Sequence, residues 1–292
     1  MRIAYLILAH QNIKQLATLI DLLSYKTPNY CFVHLDGRLH KSTTIKELKK
    51  LTISSNWHIC KKSIVINWGG FTMVEATLNL ILEALNDTVR FDYLSLHSGM
   101  DLPIKSSQAI ASYLENGKNL QYLDYFKLPN KRWGGDGGLE RVNYYWLAEC
   151  LDSHEDAYSL VRAQKKIGMI RALPAGIKEV YGGSQWWTLT AECMEYIIHY
   201  LNNTPGIIHF FKYSHIPDES FFQTILLNST YKEKIINDNL RLIDWTTNPG
   251  IPKVFDQMDK RRLNQSRKIF ARKFDENIDK EIILYFKNKL LK

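Results

Sequence analysis

Four cysteines in 292 residues are too few and too widely spaced to build on. Cys31, Cys60, Cys150 and Cys193 form no Cys-x-x-Cys pair, which argues against a zinc site, and their spacing does not suggest a disulfide framework. Reduced, mostly buried thiols in a cytoplasmic setting are the expectation. Long apolar runs are also missing. The opening "IAYLILA" spans seven residues, far short of the roughly 20 that a membrane-crossing helix needs, and no signal-peptide pattern is present. No repeat, low-complexity tract or Pro/Ser-rich linker divides the chain. The net charge of +8 calls for an anionic partner such as phosphate, nucleic acid or a membrane surface. Without a helix-turn-helix or zinc-finger pattern, nucleic acid is not expected. A peripheral contact at the inner face of the membrane stays open.

The length suits one large domain, and 45% hydrophobic residues suffice for a sizeable core. Short apolar runs ("RIAYLILAH", "YCFVHLDGR", "FDYLSLHSG") alternate with helical segments ("IKQLATLIDLLSY", "TTIKELKKL", "TMVEATLNLILEAL", "SSQAIASYLEN") through about residue 116. In "TMVEATLNLILEAL" the spacing puts Met73, Ala76, Leu80 and Ala84 on one face. Such alternation predicts an α/β fold, a mostly parallel sheet flanked by helices in a single compact domain. Ligands of such sheets lie at the carboxyl ends of the strands. Residues 1–116 read as a nucleotide-sugar half and 117–292 as an acceptor and catalytic half, with the strands "NLQYLDYF" and "LRLIDW", a turn and strand in "YGGSQWWTL", and a C-terminal helix.

Several clusters fall where a ligand would lie. His10 ends "ILAH", and Asp36 in "HLDGR" follows a strand, suited to a ribose hydroxyl or uracil N–H, or simply to an Asx turn. In "NWGGF", Trp68 offers a flat ring beside Gly69, whose bare backbone lets a ligand approach; a tight turn into the next helix is the alternative. Asp101 in "SGMDLPIK" stands at a strand end, as a sugar ligand or a turn acid. Gln185 and Trp186 in "GGSQWW" suit a sugar's polar edge and apolar face, or a hairpin with core tryptophans. Pro217 with Asp218 and Glu219 reads as a helix start, one that would also expose a carboxylate to a cleft as a general base. Lys and Arg gather between Lys260 and Lys273, where Arg272 and Lys273 sit between Phe270 and Phe274. That pair suits a pyrophosphate, although most charge runs are solvated faces. No Asp-x-Asp, the usual metal clamp for a sugar nucleotide, occurs. A departing diphosphate would then be met by side chains instead of a divalent ion.

Taken in order, "ILAH", "FVHLDGR", "NWGGFTMVEATL", "YLSLHSGMDLPIK", "GGSQWWTL", "PDESFFQTILLNS", "NLRLIDW" and "FARKFD" resemble glycosyltransferase family 14, the core-2/I-branching β-1,6-N-acetylglucosaminyltransferases and peptide O-xylosyltransferases. The resemblance implies a GT-A-type fold and an inverting, metal-independent transfer from a UDP-sugar to a glycan or glycopeptide hydroxyl. It implies Glu219 as catalytic base, Arg272 and Lys273 as pyrophosphate ligands, Arg241 as a third cation, and Arg132 with Trp133 as acceptor contacts. No cofactor is implied. Gln121 stands where the family has an acceptor-binding Glu, and the segment after "DWTTNPG" is longer than in the branching enzymes. UDP-N-acetylglucosamine is preferred over UDP-xylose as donor, with surface polysaccharide as the expected product. Peptide O-xylosyl transfer, sugar hydrolysis and non-catalytic carbohydrate or nucleotide binding are the alternatives.

Overall fold

Seven unbroken apolar residues, Ile3–Ala9, form strand β1. A strand apolar at every position needs cover on both faces. Ala4, Leu6 and Leu8 enter one core, while Ile3, Tyr5, Ile7 and Ala9 enter the other. Beside β1 lie β2 (Tyr30–Leu35), β3 (Trp57–Ile59) and β4 (Tyr93–Ser98), all parallel. The chain continues through β5 (Asp101–Pro103), β6 (Gln121–Lys127), β7 (Tyr181–Thr190), β8 (Ile235–Ile236), β9 (Arg241–Ile243) and β10 (Phe270–Arg272). The computed structural model describes residues 1–151, 153–247 and 250–291.

The main sheet has the order β3-β2-β1-β4-β7-β6-β8, and β7 alone runs against its neighbours. A second sheet, β5-β10-β9, packs Phe270 and Ala271 into the second core. Helices Ile13–Ser24, Lys41–Leu51, Thr72–Leu85 and Ser107–Asn116 fall between the early strands as the alternation predicts. The protein is a single compact α/β domain with a mostly parallel sheet, as the sequence led us to expect. Each sheet takes strands from both 1–116 and 117–292.

Local readings shift in four places. "YGGS" is strand, not turn, because close neighbours fill the space beside its glycines. A Cβ on Gly182 would lie 2.3 Å from the Trp133 ring, and one on Gly183 1.9 Å from the Asp124 carbonyl. Pro217–Glu219 is a separate 3-10 turn, and the α-helix begins only at Phe221, since Ser220 departs from helical geometry (φ −141°). That helix, Phe221–Leu227, is buried on every side, not on one face. In Thr72–Leu85 the buried face runs through Val74, Ala76, Thr77, Leu80, Ile81 and Ala84, leaving Met73 at its edge.

Candidate active site

The carboxyl ends of β1, β2 and β4 lead into the segments carrying His10, Asp36 and Asp101. Into the same place β10 brings Arg272, paired in register with Asp101. Arg272 lays its guanidinium 4.4 Å over the Trp186 ring and donates from Nη1 to Asp101 Oδ1 at 2.9 Å. The His10 imidazole has its pKa lowered, first by lost hydration and then by the charge of Lys273, with Asp36 and Arg272 also felt. His10 thus lies within electrostatic reach of Asp36, Arg272 and Lys273.

Asp101 and Arg241 do not face the cleft. Both side chains are fully buried, with Arg241 Nε 3.8 Å from Asp101 Oδ2. Burial pushes the Asp101 carboxyl up, but Arg272, His97 and Arg241 together pull it lower still, so its pKa ends below the ordinary value. Arg241 donates to the Leu96 carbonyl and to the Asn239 carbonyl, and burial lowers its pKa to about 10. His97, 3.4 Å from Asp101, is held neutral by burial, with a pKa near 4. The expected sugar ligand Asp101 and third phosphate cation Arg241 are thus supports behind Arg272. Asp36 is braced too. It accepts Arg38 N at 2.9 Å, the Asx turn the sequence allowed, and Ile66 N at 3.0 Å.

The two acids stand on the Pro217–Glu219 turn, packed on β7. Glu219 Oε2 accepts from Arg141 Nη1 at 2.8 Å, and Arg141 stacks 3.8 Å over the Trp133 ring. Loss of hydration raises the Asp218 pKa well above the carboxylate range, and the adjacent Glu219 charge adds to this. Arg132 lies 3.6 Å from Asp124 and over the Phe126 ring. Trp133 is lodged between Phe126 and the bare faces of Gly138 and Gly182.

Strand β7 joins the two sides. It packs on the Pro217–Glu219 turn, its Trp186 underlies Arg272, and Gln223 Nε2 of the following helix donates to Ser184 O at 2.7 Å. Gln185, between Ser184 and Trp186, has a buried amide nitrogen with no hydrogen-bond partner among the described residues. Trp68 is 64% exposed, with its ring edge-on to His215. Gly69 has φ +79°, and its carbonyl accepts Ile216 N, which ties this loop to the acid-bearing turn. Sequence reasoning missed Arg141, Asp124 and His97. Arg141 sits in a four-residue helix with no periodicity to mark it. All four cysteines are unpaired, three of them buried. Among the described residues no three His, Cys, Asp or Glu side chains converge as a metal site, and no helix is long and apolar enough to cross a membrane.

These elements define the class: an α/β domain whose mostly parallel sheet carries, on strand β7, both the ring under Arg272 and the packing for an acid-bearing turn. More particularly, the chain belongs to the Core-2/I-Branching enzyme family, whose model matches residues 3–269. It is similar to a xylosyltransferase of Ciona intestinalis (27% identical, 99% of this chain, 34% of that protein). It is also similar to xylosyltransferase 2 of Canis lupus familiaris (28% identical, 97% of this chain, 33% of that protein). The chain thus spans about a third of the length of these relatives. Among solved structures, the galactosyltransferase LgtC in complex with donor and acceptor sugar analogs aligns over 99% of this chain and 96% of its own, at 10% identity and TM-score 0.45.

Proposed function

We propose that this chain is an inverting glycosyltransferase that moves a sugar from a UDP-sugar to a glycan hydroxyl without a divalent ion. One observation carries the reading: β7 joins Arg272, stacked on Trp186, to the turn bearing Asp218 and Glu219. Glu219 accepts the proton of the acceptor hydroxyl. The freed oxygen bonds to C1 of the donor sugar from the face opposite UDP, and the C1–O bond to UDP breaks with its electron pair leaving on the phosphate. Arg272 and Lys273 meet that charge, as fixed cations in a water-poor site do best. Arg132 and Trp133 then lie on the acceptor side, with Trp68, Gly69 and Gln185 lining the cleft. Membership of the family supports transfer rather than hydrolysis or simple binding. A role in surface polysaccharide synthesis at the cytoplasmic face goes with the N-acetylglucosamine reading of the donor. The names of the relatives favour a second reading, UDP-xylose with a protein or glycopeptide acceptor.

Glu219→Gln lowers turnover by about 10²–10⁴-fold, the usual worth of a general base, and leaves UDP-induced thermal stabilisation intact with chelator present. Wild-type turnover in this variant sinks the assignment, as does stabilisation by UDP only when manganese is supplied. A panel of UDP-sugars with product analysis separates the donors.

A further inference from the structure

The segment after helix His154–Lys166 has no regular structure and turns its apolar side chains outward. Ile167 is 77% exposed, Ile170 66%, Met169 41% and Leu173 40%. Elsewhere large exposed apolar residues such as Met258 and Ile278 stand singly, which needs no explanation. A contiguous run does. Residues 157–178 hold five cations (Arg162, Lys165, Lys166, Arg171, Lys178) and no acid, with Glu155, Asp156 and Glu179 just outside them. Arg162 pairs with Glu155 and Lys165 with Glu140. Lys166 and Lys178 are exposed and make no ion pair among the described residues.

At the base of the loop lies a pocket of about 340 Å³ lined by Arg171, Tyr145, Pro174, Pro205, His209 and Phe210. Arg171 is buried and donates to the carbonyls of Tyr144, Tyr213 and Phe210, with no carboxylate partner among the described residues. An apolar tip flanked by two exposed, unpaired lysines, Lys166 and Lys178, matches an anionic lipid surface, where apolar side chains enter the acyl boundary and cations meet phosphates. A second copy of this chain would bring the same two unpaired lysines to the interface, with no acid in residues 157–178 to meet them.

We infer that residues 167–173, with Lys166 and Lys178, form a docking surface for an anionic bilayer. The loop is tied to the acid-bearing segment: Arg171 N donates to Asn143 O, and its guanidinium to Tyr213 O, four residues before Pro217. A membrane held there would present a lipid-borne acceptor near Glu219; only this last clause rests on the transferase reading. The test is co-sedimentation of the full chain with vesicles of phosphatidylcholine alone or mixed with phosphatidylglycerol. Binding is expected only with phosphatidylglycerol and weakens as salt rises. Ile167→Glu/Ile170→Glu is expected to lower it by about ten-fold or more, and Lys166→Glu/Lys178→Glu by at least about ten-fold. All four side chains are exposed, so the melting temperature should not move. Failure to bind phosphatidylglycerol vesicles overturns the inference. So does binding that both variants retain, or a concentration-dependent dimer that Ile167→Glu/Ile170→Glu dissolves. The readout needs no donor or acceptor, so either proposal can fail without the other.

Discussion

Asp101→Asn tests whether the buried acid holds charge or touches sugar. In the wild type its carboxylate lies 2.9 Å from Arg272 Nη1 and 3.8 Å from Arg241 Nε, with no solvent exposure. Removing one partner of a buried ion pair costs about 3–5 kcal/mol, because the other charge is left uncompensated. Against a total stability of roughly 5–15 kcal/mol this is a large loss, and it lowers the melting temperature by on the order of 10 °C. The pH dependence gives a second reading of the same group. The folded-state pKa of Asp101 is depressed, so its contribution is complete above the unfolded carboxylate value of about 3.9 and is lost as pH falls through the lower folded value. The gap in stability between wild type and variant should therefore be constant at neutral and mildly acidic pH and close in strong acid. Thermal melts across that range, with urea titrations at neutral pH, measure it. A variant that melts with the wild type while its donor KM rises would refute the buried-support argument and restore Asp101 as a sugar ligand.

Two further predictions bear on the acid-bearing turn and on β7. Arg141→Ala frees Glu219 from its only ion pair among the described residues, and it should lower kcat/KM for the acceptor while leaving UDP binding unchanged, which steady-state kinetics with each substrate varied will read. Gly183→Ala puts a Cβ 1.9 Å from the Asp124 carbonyl, which only a shift of β6 from β7 relieves. Destabilisation of about 1–3 kcal/mol or more is expected, and denaturant unfolding will show whether the strand pair yields.

The parts that could be read from the sequence were those governed by local chemistry. An apolar run ending in a polar residue marks a buried strand and its mouth, so His10 and Asp36 were placed correctly at strand ends. The cation pair at Arg272 and Lys273 was visible as a change in composition. What could not be read depends on pairings between distant short strands. β5 and β10 have three residues each and no periodicity, yet their register sets Arg272 opposite Asp101 across 171 positions. Nothing near "SGMDLPIK" announces that its acid faces inward. Gly-Gly in "YGGS" read as a turn because the neighbours that exclude a side chain there, Trp133 and Asp124, come from another part of the chain.

The same long-range pairing decides which charges a ligand would meet. Grouped by residue type, Arg241, Arg272, Lys273 and Asp101 look like one phosphate cradle with an acid beside it. In the fold one buried carboxylate, Asp101, sits between Arg272 at 2.9 Å and Arg241 at 3.8 Å beside a neutral His97, so the three charged groups carry one net positive charge. Of the three cations, Arg272, with 15% of its side chain exposed, and the half-buried Lys273 are the ones open to solvent. The Asp101 carboxylate offsets part of that positive charge but fixes where Arg272 points, and a fixed cation is what a developing negative charge rewards.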